Sequence, residues 1–204
     1  MRRCASPPRA NWQSRFEALG FTFHSADGGY WNESACYQFS ADQIDEIEAA
    51  TLELHRLALA AVKHVVAEAR CEQMLIPPPF VEAVSSSWLQ NAASLYGRFD
   101  LAYDGRHPPK LLEYNADTPT SLLEAAVAQW QWLEETQRPD QFNSLHEKLI
   151  ARWRALATRW PPGTLVHFSC VKDNEEDRIT VDYLRDTATK SGRQTHFIYF
   201  DTLG

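Results

Sequence analysis

Apolar residues recur at Ile44, Ile47, Leu54, Leu57, Ala58, Ala61, Val62, Val65 and Val66. That is the three-and-four spacing of one helix face. Ser40 followed by Gln43 matches a capping box and marks the helix start. The helix is expected to stop before Pro77-Pro78-Pro79, since proline cannot continue the hydrogen-bond ladder. A shorter helix should run from Phe80 to about Leu89. The period then changes to two over Leu95–Tyr103, which predicts a strand. Asp104-Gly105 opens a turn, and Lys110–Asn115 forms the return strand of a hairpin. Thr118 followed by Pro119 predicts a helix start, with threonine as the cap and proline at the first helical position. That helix runs through Leu122, Leu123, Ala126, Trp130 and Leu133. A further helix is expected over about Gln141 to Trp160, ended by Pro161-Pro162-Gly163. Upstream, Phe21–Trp31 predicts a short extended piece around a glycine turn.

The last stretch changes character. Thr164–Ser169 predicts a strand, Glu176 to about Thr189 a helix, and His196–Phe200 a second strand after the break at Gly192. Strand, helix, strand is a βαβ unit, which belongs in a parallel sheet covered on both faces. The fold class is therefore mixed α/β: helices packed on a hairpin-containing sheet, followed by one βαβ unit. The aromatic strand at the end would want more cover than the chain supplies, so an incomplete enzyme is expected.

Composition removes several functions. Lys plus Arg total 20 against 27 Asp plus Glu, a formal charge of −7. No basic cluster interleaved with aromatics appears, so nucleic acid is not an expected partner. No run of about 18 apolar residues occurs, and a membrane-spanning helix is not expected. Met1–Arg9 is basic but leads into no apolar segment, which argues against a secretory signal and for a cytoplasmic protein. Cys4, Cys36, Cys71 and Cys170 are scattered along the chain, without the paired spacing of zinc or redox motifs, and are expected as reduced thiols. The 7 histidines form no i, i+4 pair, which disfavours catalytic zinc.

The hairpin carries the candidate chemistry. If its loop is Asp104–Pro109, Tyr103 faces Lys110, Asp100 faces Glu113 and Arg98 faces Asn115. Directly opposite residues share a face about 5 Å apart at Cβ. Residues two apart on one strand share it at roughly 6.6 Å. Arg98, Asp100, Glu113 and Asn115 then form a tetrad. Opposed carboxylates repel, and a divalent cation would relieve that repulsion. Two carboxylates and an amide carbonyl are hard oxygen donors of the kind that suit Mg2+, whose shell is completed by waters and substrate phosphates. Arg98 beside them offers a planar fork for phosphate oxygens. The plain alternative is a solvated hairpin face on which Arg98 pairs with Asp100 or Glu113. A one-residue slip would send the two polar sets to opposite faces.

Asn115-Ala116-Asp117 leads into the helix start expected at Thr118, whose unpaired N–H groups would suit an anion. Thr120 and Ser121 add hydroxyls there. Simple capping by Thr118 is the other reading.

These stretches resemble the glutathionylspermidine-synthase family, in particular its shorter bacterial members without an amidase domain. The resemblance rests on Gly29-Tyr30-Trp31 with Glu33, Ala50–His55, Ser94–Asp100, Pro108–Ser121 and Asp140–Leu149. It implies an ATP-grasp ligase in which ATP phosphorylates a carboxylate and an amine then attacks the acyl phosphate. By the resemblance, metal ligands fall on Asp100, Glu113 and Asn115, and the ATP-contacting arginine falls on Arg98, with Asp100 also at the nucleotide. Peptide-substrate contacts fall on Thr118 and Thr120, where the family implies serines, and on Glu175 and Glu176. Acidic residues at Glu175 and Glu176 also suit a solvated helix N-terminus. The resemblance further implies Mg2+ and ATP, a peptide-like carboxylate and an amine as substrates, and a division into two segments. Residues 1–162 would be the N-terminal part of the ligase core with the metal-binding hairpin, and 163–204 the truncated start of a pre-ATP-grasp-like α/β domain. The nucleotide-clamping lobe of such ligases is missing from the sequence. Two rivals stand beside this reading: a metal-dependent phosphoester hydrolase and a non-catalytic metal-binding or interaction domain.

Overall fold

A computed structural model describes residues 1–202, with all side chains except that of Asp27. The chain forms two compact units. The first comprises Met1, Phe39–Ser94 and Phe99–Tyr114; the second comprises Arg2–Gln38, Leu95–Arg98 and the chain from Asn115 onward. Mixed α/β architecture is observed, as expected. The strands do not join into one sheet: among the described residues they form three two-stranded pairs.

In the first unit, helix α2 spans Ala41–Ala67. Its capping box is formed as predicted: Ser40 Oγ accepts from the Gln43 N–H at 3.3 Å, and Gln43 Oε1 accepts from the Ser40 N–H at 3.0 Å. Helix α3, Pro78–Leu89, starts at its second proline rather than at Phe80, since the first helical turn needs no N–H bond. The hairpin follows, with β3 at Arg98–Ala102 and β4 at Lys110–Asn115. β3 is shorter than the expected Leu95–Tyr103. Side chains of α2 hold the hairpin loop: Gln43 Nε2 donates to the Gly105 carbonyl at 2.8 Å, and the Tyr103 hydroxyl donates to Glu46 Oε2 at 2.6 Å. Gly105 has φ 78°, and a Cβ there would collide with the Met1 backbone nitrogen, so glycine is required twice over.

The second unit opens with a pairing that the sequence pattern did not reveal. β1, Arg2–Ala5, runs antiparallel to β2, Ala35–Gln38, with Cys4 directly opposite Cys36. Cysteines that are scattered along the chain are thus partly paired in space; all four remain free thiols. Between these strands lie α1, Trp12–Ala18, and a 3-10 helix at Thr22–Gly28 in place of the expected extended piece. The alternation of Phe21 and Phe23 there serves ring packing. Phe21 lies 5.2 Å from Phe16 and 4.9 Å from Phe23 between centroids, and Trp31 meets Phe16 edge-on. Glu33 is buried in an ion pair with Arg9 at 2.6 Å and accepts the Trp31 indole N–H at 2.7 Å. Trp31 and Glu33, which carry part of the resemblance, are thus tied into the packing of this unit.

Helix α4, Gln129–Thr136, is preceded by a π-helical segment at Glu124–Ala128. Helix α5, Leu145–Ala157, is shorter at both ends than expected. The βαβ unit is present: β5, Leu165–Cys170, pairs in parallel with β6, Gln194–Tyr199, across α6, Glu175–Lys190. Phe16, Phe21, Leu122, Leu123, Ala126, Ala128, Leu149 and Tyr183 make one core cluster. Trp153, Leu156, Phe168 and Ala188 make a second, so α5 and the βαβ unit share a core across residue 162. Among the described residues, no helix is long and apolar enough to cross a membrane.

Candidate functional site

The hairpin strands alternate faces, and one ring pair shows which residues face together. Phe99 and Tyr114 stack with centroids 4.0 Å apart and planes at 19°. The Tyr114 hydroxyl also lies 3.5 Å from His55 Nδ1. A stacked cross-strand pair occupies one face, so their neighbours Asp100 and Glu113 take the other. Alternation along each strand assigns Arg98 the face of Asp100, and Asn115 the face of Glu113. Asp100 and Asn115 are half-buried, whereas Glu113 is exposed. Carboxylate and amide oxygens are hard donors suited to Mg2+. Among the described residues, no three or more His, Cys, Asp or Glu side chains gather into a metal-binding cluster; the hairpin set has two carboxylates and one amide.

Beyond Asn115 the structure departs from the expected helix start. Thr118 and Ser121 have φ of 39° and 67°, in the left-handed region, where a β-branched residue is an outlier costing about 1–3 kcal/mol. The Ser121 carbonyl accepts the Ala125 N–H at 3.2 Å, so the first helical turn begins after Ser121 and not at Thr118. Side chains from β3 and its approach explain the delay. The Tyr96 hydroxyl donates to the Pro119 carbonyl at 2.7 Å. Arg98 Nη1 donates to the Thr120 carbonyl at 3.2 Å and lies 3.4 Å from its hydroxyl. Carbonyls held in this way are withdrawn from a helical ladder. Burial pushes the Tyr96 phenol up to about 12, against a lowering by Arg98, so it remains a donor at neutral pH.

On the other side of this loop stands an acid the sequence reading missed. Glu124, only 7% exposed, accepts from the Tyr30 hydroxyl at 2.7 Å. Tyr30 also lies 3.5 Å from Ser121 Oγ. Burial first, then Glu124 and the charge of Glu176, push the Tyr30 phenol up to about 12, while Ser121 opposes them. Glu176 is the smallest of these influences on Tyr30. Glu175 is turned elsewhere: its Oε1 accepts the Thr22 hydroxyl at 2.5 Å. The signal for Glu124 was a single acid inside the apolar run Leu122-Leu123-Glu124-Ala125-Ala126-Val127-Ala128. It sits on the π segment, an irregularity common at functional sites.

Of the expected residues, Arg98 and Thr120 meet directly. Asp100 and Glu113 share a ribbon face, Thr118 lies exposed on the strained loop, Glu175 bonds to Thr22, and the charge of Glu176 bears on Tyr30.

A family model described as glutathionylspermidine synthase preATP-grasp matches residues 3–204. The chain belongs to that family. This member is 38% identical to a Haemophilus influenzae protein whose name assigns it to the acid–amine ligases, over 97% of this chain and 52% of that protein. It is 28% identical to the glutathionylspermidine synthase of Crithidia fasciculata over 87% of this chain and 26% of that enzyme. With the bifunctional glutathionylspermidine synthetase/amidase of Escherichia coli it shares 25% identity, over 95% of this chain and 32% of that one. The family member thus spans about half the length of the Haemophilus relative, and less of the others.

Proposed function

We propose that this chain is part of an ATP- and Mg2+-dependent carboxylate–amine ligase, working on small-molecule acids of peptide-like character and amines. The carboxylate oxygen would attack the γ-phosphorus of ATP with ADP leaving. The amine would then attack the acyl carbon, releasing phosphate and forming the amide. Asp100, Glu113 and Asn115 would hold Mg2+, which supplies charge neutralisation at phosphate oxygens. Asp100 would also lie at the nucleotide. Arg98 would stabilise negative charge on the phosphoryl group in flight, and it needs no nucleophile or base role. Thr118, Thr120, Glu175 and Glu176 would contact the acid substrate. In this reading residues 1–162 belong to the ligase core and 163–204 open the next α/β domain, a division by chain order rather than packing. The protein would work in the cytoplasm.

The single observation that carries the proposal is the Phe99–Tyr114 stack, because it turns Asp100 and Glu113 to a common side of the ribbon. The arginine-braced, strained loop next to it adds support, since left-handed non-glycine residues concentrate at functional sites. The isolated chain should bind Mn2+ or Mg2+ weakly and release little or no ADP. A protein that includes this chain and the remaining part of the ligase should release ADP only with a suitable acid and amine present. Asp100→Ala combined with Glu113→Ala should abolish that release; ADP formation that survives the double change would remove the metal role.

A further inference from the structure

Cys4 and Cys36 lie directly opposite each other on β1 and β2, and both are half-buried free thiols. Two residues further along the same register, the Ser6 N–H donates to the Ser34 carbonyl at 2.9 Å. That bond identifies the even-numbered pairs, Cys4/Cys36 among them, as hydrogen-bonded pairs, whose Cα atoms stand about 5.5 Å apart. A disulfide accepts Cα separations of roughly 4.4–6.8 Å. On the same face, two residues along each strand, Arg2 Nη2 donates to Gln38 Oε1 at 2.7 Å, and the Cys4 thiol donates to the Arg2 carbonyl at 3.7 Å. This holds a guanidinium on the same face as the two thiols, two residues or roughly 6.6 Å along the strand, where its charge would draw in an anionic reagent. Cys71 and Cys170, by contrast, are buried, at 2% and 9% exposure.

We propose that Cys4 and Cys36 form a redox-active dithiol that closes to a cross-strand disulfide by exchange with low-molecular-weight anionic disulfides, of which glutathione disulfide is the type. In the first step one thiolate attacks a sulfur of the small disulfide, breaks its S–S bond and expels one small thiolate. In the second, the opposite cysteine attacks the protein-bound sulfur and expels the other small thiolate, leaving the Cys4–Cys36 bond. Two electrons pass from the protein to the reagent, and the two thiol protons leave on the released thiols. Opposition across the strand pair makes the second step intramolecular, so the mixed disulfide should not persist. Drawing the two Cβ atoms together from a hydrogen-bonded pair distorts the ribbon. The bond should therefore reopen readily with a small thiol.

The test is incubation of the full chain with glutathione disulfide, followed by intact-mass and peptide mass spectrometry. The wild-type chain should lose two hydrogens, retain no glutathione, and yield one linked peptide pair carrying Cys4 and Cys36. Cys36→Ser should stop at a glutathione adduct on Cys4, and Cys4→Ser at one on Cys36. The adduct should accumulate at least about tenfold more than in the wild type, as expected when an intramolecular step is removed. A wild-type chain that keeps a stable adduct on both cysteines, or that stays fully reduced in excess glutathione disulfide, would overturn the proposal. The wild-type masses decide it even if a variant folds poorly.

Discussion

The two compact units use their apolar residues differently. In the second unit, Phe16, Phe21 and Ala128 are 0% exposed and sit in continuous clusters with Leu122, Leu149 and Tyr183. In the first, the 27-residue α2 contains no buried residue. Leu52 there is 65% exposed, and Leu112 on the hairpin 69%. That unit is held by a capping box, by the Gln43–Gly105 and Tyr103–Glu46 hydrogen bonds and by one ring stack. A helix with an amphipathic pattern and no buried residue has the sequence of a packed helix without its packing. The pattern alone therefore establishes the helix but not how much its apolar face stabilises the unit.

The contrast can be broken most sharply at Phe16. Phe16→Ala should cost about 3–5 kcal/mol in urea unfolding, the range for emptying a packed aromatic site. A loss below about 1 kcal/mol would mean that the second unit has no tight core either. Next in size is Tyr96→Phe, which leaves the carbonyl of buried Pro119 without its donor and should cost about 1–3 kcal/mol. This effect carries a pH signature. The Tyr96 phenol is raised from 10.0 to about 12 in the folded chain. Below the unfolded value its contribution is complete, and it is lost as pH climbs from about 10 toward 12, because there the unfolded state has released the proton first. Wild-type stability should thus fall more steeply than that of Tyr96→Phe across that window. In the first unit, Ser40→Ala should cost about 1 kcal/mol through loss of the cap, visible as fraying of α2 in amide exchange. Smallest of all, Leu52→Ala should change stability by no more than about 0.5 kcal/mol. A large loss at Leu52 would show that α2 is packed after all.

What was legible in the sequence was local. Ser40 and Gln43 act within one turn, β4 matched its expected bounds of Lys110–Asn115, and β5, α6 and β6 followed their own periodicities. What escaped was decided by distant partners. Thr118 and Pro119 look like a helix start until Tyr96 and Arg98, more than twenty residues upstream, take the carbonyls of Pro119 and Thr120. Phe21 and Phe23 are spaced as in a strand, yet with Tyr30 they cluster as rings over a 3-10 turn. Arg2 and Arg3 looked like a basic terminus, and only their pairing with β2 makes them a strand and brings Cys4 to Cys36. At the candidate site the common face of Asp100 and Glu113 followed from strand alternation. Glu124 did not, because an acid in an apolar run shows its partner, Tyr30, only after folding.

The wide turn at Glu124–Ala128 lets the segment absorb a change in length that a regular helix would not. Five residues there close a loop that an ordinary helix closes with four. Deleting one of the residues after Glu124 would restore regular α-helix, in which four residues at about 100° each sweep nearly the angle that five now cover. Leu133, 7% exposed on α4, would then keep nearly its present heading, and Glu124 could keep its bond to Tyr30. Natural variation in this stretch is therefore expected to include single-residue deletions after Glu124 that turn the wide turn into plain helix.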